Sequence, residues 1–121
     1  MRTYEARAAS TDVFGRVLCT VRNHHFIIDG PKHNGCPGEE VTPSEMFLSA
    51  IASCGVELVQ VLAKDATVPL RGIEVTIGGS LDRSKRARPD VTLFSAVRLH
   101  FQLKGVTDKQ ARQLVDDFKS S

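Results

Sequence analysis

The stretch from Thr42 to Lys64, TPSEMFLSAIASCGVELVQVLAK, constrains the fold more than any other part of the sequence. Thr42 is a favourable N-cap residue, and Pro43 suits the first helical position because its missing N–H costs nothing there. Glu45 can bond back to the Thr42 N–H and complete a capping box. No proline interrupts the residues that follow. The stretch therefore predicts a helix of roughly six turns, about twice the usual length.

The polar residues of this helix form one narrow stripe, about 120° wide, and the rest of its surface is apolar. They are Glu45, Ser49, Ser53, Glu57, Gln60 and Lys64. A helix that is apolar over most of its circumference belongs in an interior, and a small sheet covers only one side of it. We therefore expect a second copy of the chain to cover the remainder, which gives a homodimer with its two-fold axis near the helices.

The segments on either side of the helix have the patterns of β-strands and of one short helix. The predicted strands cover residues 2–9, 13–22, 24–29, 73–77 and 91–104, with a charged loop at 82–90. The Gly78-Gly79 pair should end or bulge the fourth strand. Thr107 and Gln110 form a second capping box before a terminal helix. The order βββαββα predicts one α+β domain over residues 1–121, with the long helix packed on a mostly antiparallel sheet.

The composition argues against several classes of protein. Lys and Arg number 16 against 14 Asp and Glu, a net charge of +2, which disfavours a dedicated nucleic-acid or membrane-surface protein. No apolar run approaches the roughly 20 residues that span a bilayer, and the N-terminus lacks an apolar signal core. Three cysteines without a CxxC pair indicate free thiols in a reducing, cytoplasmic setting.

Cys54 lies near the middle of the long helix, where the apolar surface meets the polar stripe, and is the strongest candidate for chemistry. A cysteine attacks as its thiolate, and an ordinary cysteine has a pKa of about 8.5. About three turns into the helix the macrodipole gives little help, so a cation must be supplied. Arg16 is the first candidate for that cation, with Arg22 and Arg98 as alternatives. The competing interpretation is that Cys54 is a small buried hydrophobic residue, as free cysteines often are.

The other candidate residues carry weaker signals. Cys36, in the loop from Gly30 to Val41, is either a second thiol that could react with an oxidised Cys54 or an incidental loop cysteine. Cys19 alternates with apolar residues and is expected in the core. His33 and Cys36 have the spacing of metal ligands, but zinc commonly needs about four ligands in tight pairs, so neither a metal site nor a cofactor is predicted.

Several segments together resemble the OsmC/Ohr family over roughly residues 24–119: a strand ending near an Asp, a Gly/Pro loop, TPSEMFLSAIASC, and the RGIEVTI and FSAVRLHFQLKG strands. The resemblance implies an intertwined α+β dimer whose best-known branches reduce organic hydroperoxides through a cysteine on the central helix. Pro43 lies eleven residues before Cys54, as in the family motif, so the resemblance makes Cys54 the peroxidatic cysteine. It also implies an arginine as its thiolate partner, for which Arg16 is the candidate here, a role for Glu45, and a separate thiol reductant.

Two features depart from the hydroperoxide-reducing branches. In those branches Glu directly follows the Pro, but here Ser44 does, which resembles a third, less characterised branch. Their partner cysteine lies in a segment after the last helix, where this sequence stops at Ser120-Ser121, so that cysteine is either beyond the sequence given or absent.

Three functions therefore remain open at this point. The first is a thiol peroxidase whose apolar walls, formed by Phe47, Ile51 and Leu58, favour an apolar hydroperoxide. The second is a non-catalytic module that binds an apolar small molecule in the dimer groove, and the third is a purely structural domain.

Overall fold

A computed structural model describes residues 2–80 and 96–120. Its elements are β1 (Arg7–Ser10), β2 (Arg16–Val21), β3 (His24–Asp29), α1 (Pro43–Asp65), β4 (Gly72–Ser80), β5 (Ala96–Lys104) and α2 (Asp108–Lys119), with one 3-10 turn at Lys32–Asn34. The order βββαββα and the long helix confirm the predicted α+β class. The residues group into two compact units, Met1–Phe47 and Leu48–Ser121. Whether the chain is a single domain stays a prediction.

The N-terminal unit contains a three-stranded antiparallel sheet in the order β1-β2-β3. The predicted first two strands were too long. The second begins only at Arg16, because Arg16 N–H bonds to the Val13 carbonyl in a turn that Gly15, at φ 82°, permits. The prediction for β3 had the correct bounds. Among the described residues of this unit, no apolar side chain is fully buried and Asp29 is the one fully buried polar residue.

The C-terminal unit contains a two-stranded antiparallel sheet in which β4 pairs with β5 from Gly72↔Lys104 to Ser80↔Ala96. The prediction that Gly78-Gly79 ends or bulges the strand is wrong, since both glycines pair regularly with β5. The ladder depends on backbone hydrogen bonds, which glycine makes as well as any other residue. The predicted charged loop at 82–90 and the first residues of the predicted strand at 91–104 lie outside the described residues.

The core of this unit lies where α1 and α2 pack on the β4-β5 sheet. Val59, Ala63 and Leu114 are buried there, and the rings of Phe101 and Phe118 meet edge to face with centroids 5.5 Å apart. Gly55 is also buried, and it lies so close to Phe101 that a Cβ at this position would be 3.4 Å from the ring. The predicted capping box of α2 is present, and contributes about 1 kcal/mol through its N-cap.

The long helix α1 is less covered than its composition suggests. Its predicted capping box is present: Thr42 N–H donates to Glu45 Oε1 at 2.9 Å, and Glu45 N–H donates to Thr42 Oγ1 at 3.3 Å. Only Gly55, Val59 and Ala63, a stripe of residues four apart, are buried. The expectation of an interior helix is therefore not met within one chain.

By length and composition alone, α1 could also cross a membrane. This corrects the expectation that no apolar segment is long enough to span a bilayer. The helix has 23 residues, and it qualifies by its mean hydropathy although a few polar residues interrupt the apolar ones. The core helices of soluble proteins pass the same test, so the finding by itself does not indicate a membrane protein.

Candidate active site

An ion pair between the half-buried Arg16 and the fully buried Asp29 joins β2 and β3 in the N-terminal unit. The register places Arg16 directly opposite Asp29. Arg16 Nε donates to Asp29 Oδ1 at 2.8 Å, and Arg16 Nη2 donates to Asp29 Oδ2 at 2.9 Å. The backbone N–H groups of Glu39 and Glu40 each donate to Asp29 Oδ2 at 3.0 Å. Asp29 thus accepts four hydrogen bonds, and the two from Glu39 and Glu40 tie the loop before α1 to the sheet.

A second carboxylate contacts the same guanidinium. Arg16 Nη2 also donates to Glu39 Oε1 at 2.7 Å, although the Glu39 side chain is 72% exposed. The hydrogen bonds from Arg16 hold the pKa of Asp29 well below its ordinary value, and those to Asp29 and Glu39 raise the pKa of Arg16 above its own. Both groups are therefore charged at neutral pH.

Sequence reasoning singled out Arg16 but missed Asp29 and Glu39 as its partners. The available signal was an Asp at the end of an apolar strand and an Arg at the start of its neighbour, which become opposite only once the register is known. Arg16 lies in the N-terminal unit, and its role as the thiolate partner of Cys54 stays a prediction.

Cys54 is exposed on α1, next to the buried Gly55. The interpretation of Cys54 as a buried hydrophobic residue is therefore wrong within one chain. Ile51 and Leu58, one helical turn before and after the thiol, are half-buried, and Phe47, two turns before it, is 40% exposed. Spacings of four, three and four residues place these three apolar side chains on the same helical face as the thiol.

Glu45 has a structural role in this chain. Its carboxylate accepts hydrogen bonds from the backbone N–H and, at 3.1 Å, the hydroxyl of Thr42, and these bonds lower the pKa of Glu45. A carboxylate held at the start of α1 also interacts favourably with the helix dipole. A catalytic role for Glu45 stays a prediction.

Cys36 is half-buried and tightly packed rather than loose in its loop. A Cβ added to Gly15 or to Gly30 would lie only 2.4 Å from its Sγ, so the thiol occupies the space that both glycines leave. Cys19 is half-buried in β2. Within residues 2–80 and 96–120, no group of three or more His, Cys, Asp or Glu side chains could hold a metal ion.

Comparisons with known proteins agree with this architecture. No curated protein matches the sequence significantly. Among solved structures, an OsmC-like protein from Mycoplasma pneumoniae is 14% identical with a TM-score of 0.77, over 95% of this chain and 79% of that chain. An organic hydroperoxide resistance protein OsmC from Legionella pneumophila is 21% identical with a TM-score of 0.73, over 96% and 81%. An organic hydroperoxide resistance protein from Elizabethkingia anophelis is 20% identical with a TM-score of 0.74, over 96% and 80%.

At these identities the structural likeness shows a shared fold. The family model described as OsmC-like protein matches residues 36–121, more than half of the chain, including all of α1 and Cys54. On that match the chain belongs to the OsmC-like family.

Proposed function

We propose that the protein reduces organic hydroperoxides through Cys54. The observation that carries the proposal is an exposed thiol on the long helix of an OsmC-like fold, on the same helical face as Phe47, Ile51 and Leu58. The fold is shared with proteins named for organic hydroperoxide resistance in Legionella pneumophila and Elizabethkingia anophelis. The apolar face favours an organic peroxide over hydrogen peroxide, since apolar surface gains by excluding water.

The proposed chemistry transfers one oxygen atom to sulfur. The Cys54 thiolate attacks the distal peroxide oxygen, the O–O bond breaks, and the alkoxide takes a proton and leaves as an alcohol. The cysteine is then a sulfenic acid, and a second thiol condenses with it to give a disulfide and water. A further thiol reduces that disulfide. The co-reactant is therefore a thiol reductant, which a reducing, cytoplasmic setting supplies.

Arg16 is proposed as the cation that stabilises the thiolate. Support comes from its rigid placement, because the buried carboxylate of Asp29 fixes two of its nitrogens. Its Nη1 donates to no other residue that the structure describes, so one end of the guanidinium is available to an anion. Glu45 would then act indirectly, by fixing the start of α1.

The reactivity of the thiol tests the proposal directly. We expect iodoacetamide at pH 7 to alkylate Cys54 at least about tenfold faster than it alkylates free cysteine. Peptide mass spectrometry of the intact protein would follow Cys54, with Cys36 and Cys19 as internal controls. A Cys54 that reacts no faster than free cysteine has no activated thiolate, and the peroxidase proposal then fails.

We further propose that two copies of the chain form a homodimer. Support comes from apolar surface that one chain leaves open: Val61 on α1 is 45% exposed and Phe14 is 76% exposed. The described residues of the N-terminal sheet also bury no apolar side chain completely. A second copy would remove this surface from water, and closed two-fold dimers are the commonest oligomers.

Sedimentation of the purified protein tests the dimer. We expect a mass of twice the 13.2 kDa chain. Val61→Lys should shift the protein towards monomer, because it places a charge on the apolar surface, whereas Gln60→Lys, next to it on the polar stripe, should not. A wild-type protein that sediments as a monomer at micromolar concentration would refute the dimer.

A further inference from the structure

An open surface cavity of about 440 Å³ lies in the N-terminal unit. All of its lining residues are exposed except Thr20, which is half-buried. Its lining consists of Thr3, Glu5, Ala6, Arg7, Thr20 and Arg22.

The pairing of β1 with β2 brings two of these residues, Arg7 and Thr20, together. The register pairs Arg7 with Thr20, so the two side chains point to the same face. Arg22 lies in the turn after β2, and Thr3, Glu5 and Ala6 belong to the segment before β1; all four line the same cavity. Arg22 has a positive φ of 54° in the tight turn between β2 and β3, outside the extended conformation of a strand.

The side chains that line this cavity carry a net positive charge. Neither Arg7 nor Arg22 lies within ion-pair distance of a carboxylate of the described residues, in contrast to Arg16 with its two partners. Glu5 lines the cavity but pairs with neither arginine. Two guanidinium groups and one carboxylate leave a net charge of +1, and Thr20 adds a hydroxyl, which lies 3.1 Å from His25 Nδ1.

We infer that this cavity is a binding site for a phosphomonoester. Guanidinium groups form bidentate, charge-assisted hydrogen bonds to phosphate oxygens, and a hydroxyl can add another. The cavity is larger than a phosphate group needs, which leaves room for the organic part of the ester. The inference does not depend on Cys54 or on peroxide chemistry.

Titration calorimetry of the whole protein with glycerol phosphate tests the inference. The variant Arg7→Gln/Arg22→Asn should lose roughly 100-fold in affinity, about tenfold for each arginine. Asparagine is chosen at position 22 because it tolerates positive φ. Arg2→Gln/Arg112→Gln removes the same charge outside the cavity and should change the affinity less than about twofold.

Glu5→Gln should change the affinity in the opposite direction from the arginine variants. It removes the one carboxylate of the cavity and should strengthen phosphate binding several-fold, because a like charge opposes the ligand. If phosphate binds only through non-specific attraction to positive surface charge, both double variants should lose the same affinity. That result would overturn the inference. Absence of millimolar binding to the wild type would overturn it as well.

The phosphomonoester could be a free metabolite or the headgroup of a lipid. Vesicles containing phosphatidic acid, compared with soluble glycerol phosphate, separate these sources. Binding of either that depends on Arg7 and Arg22 supports the site, and vesicle binding that is unchanged in Arg7→Gln/Arg22→Asn counts against it.

Discussion

Replacing Cys54 with serine is expected to abolish the reduction of an organic hydroperoxide, with a loss of at least about 10³-fold in kcat/KM. A serine hydroxyl is not ionised at neutral pH and cannot accept the peroxide oxygen as a sulfenic acid. Cys54 is exposed in the single chain, and serine is nearly the same size, so the fold should survive the change. The measurement is consumption of cumene hydroperoxide with a dithiol as reductant.

A single-turnover version separates the three cysteines. With one equivalent of hydroperoxide and no reductant, the wild type, Cys36→Ser and Cys19→Ser should each consume the peroxide, whereas Cys54→Ser should not. If Cys36→Ser keeps this first turnover but loses repeated turnover when the dithiol is added back, Cys36 is the thiol that reacts with oxidised Cys54. Consumption of peroxide by Cys54→Ser would eliminate the proposed chemistry, and a wild type that binds apolar molecules without turnover would favour a binding module instead.

Local signals in the sequence were sufficient to predict the elements that frame this site. The capping box of Thr42 and Glu45 located the start of α1 within one residue, because its hydrogen bonds join residues three apart. The bounds of His24–Asp29 were also correct, since an apolar run between polar turns leaves little choice. The position of Cys54 at the edge of the apolar surface pointed to a reactive thiol. The thiol is exposed in one chain, and its reactivity stays a prediction.

The missed features depend on residues that are distant in the sequence. Asp29 looked like the end of a strand, and only the register between β2 and β3 shows that it faces Arg16. Glu39 reaches the same guanidinium because its own N–H is held by Asp29, a constraint that no local pattern encodes. The tight packing of Cys36 against Gly15 and Gly30 depends on the same loop path, which composition alone had marked as irregular.

Asp29→Asn should destabilise the protein more than any change on its surface, lowering Tm by at least roughly 10 °C. Asparagine keeps the shape of the side chain but removes the charge that Arg16 pairs with. It can also turn its NH₂ group towards backbone N–H donors that need an acceptor. Glu40→Gln is the matched control: it removes a neighbouring exposed carboxylate, while its backbone keeps the same bond to Asp29, and Tm should change little. Differential scanning calorimetry measures both variants.

The pH dependence of this stability difference identifies its origin. The folded-state pKa of Asp29 is lowered, so its contribution is fully present above the pKa of an unfolded Asp, about 3.9, and is lost as the pH falls through the lower folded value. The wild type should therefore exceed Asp29→Asn by a constant margin between about pH 5 and 8. The margin should shrink below about pH 4, because the Asp29 carboxyl of the unfolded wild type then binds a proton while that of the folded protein does not. It is lost once the pH is low enough to protonate Asp29 in the folded protein as well. A margin that stays unchanged down to pH 2 would show that the hydrogen-bond geometry of the side chain, rather than its ion pair with Arg16, stabilises the fold.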